Sequence, residues 1–189
     1  MAFLSIQEVI DIIAMTFAIG FIFSRFFKRK PTEGYDPLTY YQKSSFWEEI
    51  KYSAIIAAPA VVLHELAHKF VAMSFGATAT LHAPYSMYMI VILLTLIRFP
   101  IIFFVGGYVS HSPLPALQSS MVAIAGPLTN LILFGAATLL IRRKLVHRKY
   151  YEPLSLVAKL NLFLLAFNMI PIPGFDGFHF FRGLISAFF

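Results

Sequence analysis

Long apolar runs, separated by short polar stretches, dominate the chain. The first covers residues 3–27, the second about 49–75 and the third 117–141. A helix needs about 20 predominantly apolar residues to cross the hydrocarbon of a bilayer. The pattern therefore predicts several membrane-spanning helices joined by short connections.

Two further apolar stretches are interrupted and predict less regular segments. Residues 87–105 contain an arginine and a proline, and residues 153–189 are broken by prolines and glycines between Asn168 and Gly177. Irregular backbone at membrane depth is tolerated only where it packs within protein or lines a polar cavity. The second interruption therefore predicts a functional cavity.

Composition excludes an ordinary soluble domain of this length. Hydrophobic residues make up 59% of the chain, charged residues only 13%, and the mean hydropathy is +0.76, which is typical of an integral membrane protein. We expect an all-α polytopic membrane protein with about five or six membrane segments. Residues 1–189 should form a single domain, with an additional N-terminal span at 1–30 and a core at about 50–189.

The formal charge of +6 is concentrated in two basic blocks, at 25–30 and 142–149. The positive-inside rule places both in the cytoplasm, where they would contact anionic lipid rather than nucleic acid. Both can be cytoplasmic only if an even number of crossings separates them. This parity favours a re-entrant segment at 87–105 over a further crossing.

The N-terminal region carries three expectations. Its basic block follows the apolar run instead of preceding it, so we expect a retained span and not a cleaved signal peptide. Glu8 and Asp11 share one helical face near its start and are expected to be solvated at the membrane edge. The polar stretch 31–49 is expected to be a cytoplasmic loop.

Two histidines and a glutamate lie within the second apolar run. In a helix, His64 and His68 are four residues apart on one face, so both rings can bind one metal ion. Glu65, rotated by about 100°, can reach a water beside that metal without being a ligand. This is the HExxH zinc-binding pattern. The plainer alternative is a helix whose ionisable groups only satisfy one another.

A catalytic zinc site usually has three protein ligands and one open position, and cysteine is absent from the chain. The candidates for the third ligand are Asp176, Glu152, Asp36, His82, His111, His147 and His179. Asp176 is preferred because an uncompensated carboxylate in the broken apolar segment would be costly. His179 could share its helical face as an alternative or outer ligand, although a histidine at the surface or the edge of the core is the expectation. His147 belongs to the basic block and is expected to be solvated, and His82 and His111 have no partner at metal-ligand spacing.

The chemistry that these residues permit is peptide hydrolysis. A metal held by His64, His68 and Asp176 could activate a water for attack on a peptide carbonyl. Glu65 would take the proton of that water and pass it to the leaving amine. The amide of Asn168 could donate to the developing oxyanion, or it could cap carbonyls freed by the helix break.

Three motifs in order, HELAH at 64–68, AGPLTN at 125–130 and NMIPIPGFDG at 168–177, resemble the site-2 protease family of intramembrane zinc metalloproteases. The resemblance covers about residues 52–177, with Phe175 where the family commonly has leucine. It implies a three-helix catalytic core with one Zn²⁺ per chain, sunk in the membrane and reached by water from the cytoplasmic side. It also implies the same three ligands and two catalytic residues, and we expect Gly126, Pro127 and Asn130 to serve helix packing.

The chain is therefore expected to be an intramembrane zinc endopeptidase that cuts transmembrane helices of other membrane proteins in regulated intramembrane proteolysis. Its expected partners are such substrates and the lipid bilayer of the cell membrane, and not nucleic acid. A membrane metal or ion transporter is the alternative from another class, since ionisable groups on broken helices also mark ion pathways. A proteolytically inactive relative that retains membrane clients is a third hypothesis.

Overall fold

The computed structural model describes residues 3–27, 46–97, 99 and 106–188, and every structural statement below concerns those residues. This part of the chain forms six α-helices and two short strands. The helices are α1 (Ile6–Phe23), α2 (Phe46–Ser74), α3 (Tyr85–Leu96), α4 (Ala116–Arg142), α5 (Tyr151–Asn168) and α6 (Asp176–Phe188), and the strands are β1 (Ala79–His82) and β2 (Tyr108–His111). A single 3₁₀ turn, Arg148–Tyr150, precedes α5.

The three long apolar runs coincide with α1, α2 and α4. These are the helices of the described residues that are long and apolar enough to cross a membrane. Large side chains on the outer face of α4 are exposed, among them Leu131 at 45%, Ile132 at 62% and Leu139 at 52%. Such a surface suits lipid and would favour aggregation in water. The predicted helical fold is confirmed, with three helices that could span a membrane, while the larger number of five or six membrane segments stays a prediction.

α1 begins at a complete N-terminal cap and packs along α2. Ser5 Oγ accepts from the Glu8 N–H at 3.2 Å, and the Ser5 N–H donates to the Glu8 carboxylate at 2.8 Å. Further along, a Cβ added at Gly20 would lie 2.8 Å from Ala54 Cβ, closer than atoms of a real side chain come. Glycine at this position therefore lets the two helix backbones approach closely.

Glu8 and Asp11 are buried, with only 3% and 2% of their surfaces exposed. Glu8 pairs with Lys69 of α2 and accepts from the Leu81 N–H of β1 at 2.9 Å. Asp11 accepts from the hydroxyl of Tyr85 at the start of α3. The expectation that these carboxylates are solvated is wrong, because the start of α1 packs beneath the strands and their carboxylates join four elements.

The two strands, which were not predicted, precede and follow α3 along the chain. They pair antiparallel, with Ala79 opposite His111 and His82 opposite Tyr108. The end of β1 and the start of β2 therefore lie side by side, and the chain leaves and re-enters the sheet at the same edge. The far end of α3 reaches the end of α1, where Arg25 donates to the Thr95 carbonyl at 2.7 Å. Of the predicted segment 87–105, residues 98 and 100–105 lie outside the described residues.

α4 runs antiparallel to α2, and both helices continue through a proline, Pro127 and Pro59. Its direction follows from contacts near its start and middle, where Val122 lies against His68 and Asn130 against Ala60. The end of α4 that precedes the basic block 142–149 therefore lies beside the start of α2. Since α1 also ends there, with Phe27 bonded to Ser53 of α2, the two basic blocks begin on the same side of the bundle.

The broken segment lies where the sequence predicts it, between α5 and α6. Gly174 in this connection has φ of +100°, a left-handed conformation that favours glycine. A Cβ at Gly177 would lie 2.4 Å from the Met169 carbonyl oxygen, so the Asp-Gly pair can begin α6 only with glycine second. Of the predicted loop 31–49, residues 46–49 belong to α2 and 31–45 lie outside the described residues.

Candidate metal centre

Three side chains from two helices converge in the interior. Asp176 Oδ2 lies 3.0 Å from His64 Nε2 and 3.4 Å from His68 Nε2, and the two Nε2 atoms are 3.1 Å apart. The three ligand atoms all lie within 4.8 Å of one another. The first turn of α6 thus brings the preferred third candidate to the histidine pair, across 112 positions of sequence.

Hydrogen bonds behind the rings orient both imidazoles. His68 Nδ1 lies 2.7 Å from the Val122 carbonyl, which can only accept, so this nitrogen carries the ring proton. His64 Nδ1 lies 2.6 Å from Asn130 Oδ1, an oxygen that can also only accept, so this Nδ1 carries a proton as well. In the neutral form of the two rings, both Nε2 lone pairs then face each other and a carboxylate oxygen. This donor set fits a cation, because without one the converging lone pairs would repel.

Gly126 of α4 leaves the space that such a cation needs. A Cβ added there would lie 2.3 Å from His68 Nε2 and 2.5 Å from His64 Nε2. Any side chain would therefore occupy the point at which the ligand atoms meet. The motif at 125–130 therefore does more than the helix packing that we expected. Gly126 makes room for the imidazoles, and Asn130 forms a hydrogen bond with one of them.

Glu65 lies beside the cluster but outside it. Its side chain is buried, and its carboxylate accepts a hydrogen bond from the Gly107 backbone. A Cβ at Gly107 would lie 2.8 Å from Met15 Cε and 3.1 Å from the His82 carbonyl oxygen. Glycine thus lets the chain entering β2 approach Glu65 while it packs on α1.

A cavity of about 420 Å³ contains all five predicted site residues in its lining, which are His64, Glu65, His68, Asn168 and Asp176. Its remaining wall is formed by further residues of α2 and α5, by the chain entering and forming β2, by the start of α4, and by the segment before α6. Phe175, the departure from the family's leucine, also lines this wall and packs edge-on against Phe167 at 4.8 Å between ring centres. The cavity predicted at the helix break is therefore present.

None of the other described candidates for the third ligand joins the cluster. His111 and His179 line the same cavity without joining the cluster. His82 bonds Ser110 on the sheet, and His147 caps the 3₁₀ turn. Glu152 lies in the first turn of α5, and Asp36 is outside the described residues.

Sequence reasoning missed Asn161 altogether. This residue of α5 is fully buried and accepts from Asn130 Nδ2 at 2.9 Å, so it stands directly behind the partner of His64. A lone asparagine within an apolar helix has no spacing that marks it. The only available signal was that a polar residue there needs partners.

Comparison with known proteins gives two relatives from Methanocaldococcus jannaschii. One, named "Putative zinc metalloprotease", is 31% identical over 180 residues, which are 90% of this chain and 81% of that protein. The other, named "Zinc metalloprotease", is 29% identical over 150 residues, which are 79% of this chain and 38% of the longer relative. No family model and no solved structure matches the chain.

Proposed function

The chain belongs to a family of zinc metalloproteases, and from that premise we propose that it is an intramembrane endopeptidase of the site-2 protease type. Zinc is its cofactor, and peptide hydrolysis is its class of reaction. One observation carries the finer proposal. The His64, His68 and Asp176 cluster lies between helices that are apolar and long enough to cross a membrane.

We assign roles to the residues of the cavity as follows. His64, His68 and Asp176 would hold Zn²⁺, which when bound supplies Lewis acidity that polarises a peptide carbonyl and makes water nucleophilic near neutral pH. Glu65 takes a proton from the attacking water and delivers it to the leaving amine. Asn168, at the end of α5, donates its amide to the developing oxyanion.

The proposed substrate is a transmembrane segment of another membrane protein. A helical segment hides its carbonyls in hydrogen bonds, so it must unwind before it can react. The cavity wall includes Gly107, Tyr108 and Val109, and β2 pairs on one side only among the described residues. An unwound segment could add to the open side of β2 as a further strand.

A second proposal concerns the membrane arrangement, and the strand pairing supports it. We propose that α2 and α4 are the two crossings between the basic blocks, with the expected re-entrant segment 87–105 between them. Support comes from the antiparallel strands, which bring both ends of that segment to one level. Residues 1–189 then form one domain, in which α1 is the additional N-terminal span. Lipid and membrane substrates are its proposed partners, and nucleic acid is not.

The orientation poses a conflict between two expectations. His68 lies six residues before the end of α2 at Ser74, so the cluster is near the end of the bundle opposite the basic blocks. Cytoplasmic basic blocks and a cytoplasmic opening of the cluster cannot both hold. We propose the cytoplasmic opening, as the resemblance implies, which requires the basic ends of α1 and α4 to face outward.

Single cysteines test the orientation, because the chain has none of its own. Ser74→Cys and Lys144→Cys place one thiol at each end, both at exposed positions. With a membrane-impermeant maleimide on intact cells, we expect labelling at 144 and protection at 74. The reverse pattern would keep the protease assignment and move the opening to the outer face.

Glu65→Gln tests the reaction itself. The variant should fold and hold zinc as the wild type does, and it should lose cleavage of a transmembrane substrate in detergent or liposomes. Hydrolysis retained at the wild-type rate would refute the assigned role of Glu65. Zinc flux across liposomes without any hydrolysis by the wild type would favour the transporter alternative.

A further inference from the structure

A chain of buried amides leads from α5 to the metal centre. Asn161 of α5 and Asn130 of α4 are each 0% exposed, and neither lines the cavity. Asn130 Nδ2 donates to Asn161 Oδ1 at 2.9 Å, and Asn130 Oδ1 lies 2.6 Å from His64 Nδ1. Asn161 therefore reaches a metal-binding side chain through one intermediate residue.

Each hydrogen bond in this chain has only one possible direction. Asn161 Nδ2 donates at 2.8 Å to the Val157 carbonyl, which cannot donate, so Asn161 Oδ1 must face Asn130. Asn161 Oδ1 and the Ala60 carbonyl oxygen both require a donor, and the second lies 3.0 Å from Asn130 Nδ2. Asn130 Nδ2 therefore donates to both oxygens. Asn130 Oδ1 is left for His64, whose Nδ1 must then carry the ring proton.

We propose that Asn161 is a positioning residue for the metal centre, which keeps the His64 proton on Nδ1 by holding the Asn130 amide in one orientation. If that amide turned over, its Nδ2 would face His64 Nδ1. The ring proton would then belong on Nε2, the atom directed at Asp176 and His68, and His64 could no longer bind a metal there. Without Asn161, only the Ala60 carbonyl would oppose this flip of the Asn130 amide.

The test is the zinc dissociation constant of the metal-free protein in detergent, measured by competition with a chromophoric chelator. Asn161→Leu removes the acceptor for Asn130 and should weaken zinc binding by about tenfold, the lower end of the effect of outer partners of metal ligands. Asn161→Asp keeps an acceptor oxygen whether its carboxyl is ionised or protonated. Its zinc affinity should stay within about twofold of wild type, although a buried carboxyl lowers the melting temperature of the metal-free protein.

Two further variants separate positioning from general stability. Ser120→Ala removes another buried hydrogen bond between helices, donated to the Phe180 carbonyl at 2.8 Å, and should leave the zinc affinity unchanged. In an Asn130→Leu background, Asn161→Leu should weaken zinc binding no further, because Asn161 acts only through Asn130.

The inference rests on the proposed zinc site and not on proteolysis, so the two can fail separately. Wild-type zinc affinity in Asn161→Leu, or an equal loss in Asn161→Leu and Asn161→Asp, would overturn the positioning role. Wild-type zinc affinity in His64→Ala would overturn it as well, because His64 would not be a ligand. A wild-type protein that binds zinc but cleaves no peptide would refute only the proposed protease function.

Discussion

Gly126 is the position at which a single added carbon atom should most directly oppose metal binding. In Gly126→Ala the new Cβ would lie 2.3 Å from His68 Nε2 and 2.5 Å from His64 Nε2, about 1 Å closer than an ordinary contact. The Val122 carbonyl and Asn130 hold the rings from behind, so the rings can move away only by breaking these hydrogen bonds. Either α4 shifts or the two rings separate.

The size of the effect follows from the energy of overpacking. Inserting a methyl group into a packed interior costs about 1–3 kcal/mol. The metal-free protein can relieve this strain by turning the rings apart, whereas metal binding requires them to converge. The cost therefore falls on binding, and zinc affinity should drop by roughly 5- to 150-fold, at about 1.4 kcal/mol for each factor of ten.

A matched control lies on the same helix. A Cβ at Gly135 would meet nothing within 4 Å, so Gly135→Ala should keep the zinc affinity and stabilise α4 slightly through the higher helix propensity of alanine. The assay is chelator competition on both variants, with thermal unfolding of the metal-free proteins beside it. Zinc affinity equal to wild type in Gly126→Ala would refute the geometry proposed for the cluster.

Two other predictions concern the buried ion pair and the metal. Lys69→Met leaves the buried Glu8 carboxylate without its cation and should lower the free energy of unfolding by about 3–5 kcal/mol. The double variant Lys69→Met with Glu8→Gln should recover part of this loss, as measured by thermal unfolding. An equal loss in the single and double variants would contradict the pairing. Treatment with a chelator should abolish peptide cleavage, and added Zn²⁺ should restore it, whereas cleavage that survives complete removal of the metal would rule out a metalloprotease mechanism.

Local sequence patterns predicted the parts of the structure that depend on them. Apolar length predicted α1, α2 and α4, and the i, i+4 spacing predicted that His64 and His68 share a face. The prolines and glycines after Asn168 predicted the break that lets Asp176 begin a new helix beside them. Each of these features is set by neighbouring residues, so one sequence is sufficient to find it.

Other features that depend on distant contacts were missed. Glu8 lies near the start of an apolar run, where the sequence pattern is typical of a residue at the membrane edge. Its partner Lys69 is 61 positions away. Asn130 and Asn161 are single amides whose meeting depends on how α4 packs against α5. Strands of four residues, such as β1 and β2, are too short for an alternating pattern to stand out.

One zinc ion shared by α2 and α6 underlies the proposed function, and metal analysis of the purified protein tests for it. Wild-type protein should contain about one zinc per chain, and Asp176→Ala should lose most of it under the same wash. His179→Ala, altered on the next turn of α6 and in the same cavity, should keep it. Full zinc content in Asp176→Ala, or equal losses in both variants, would contradict the proposed metal centre.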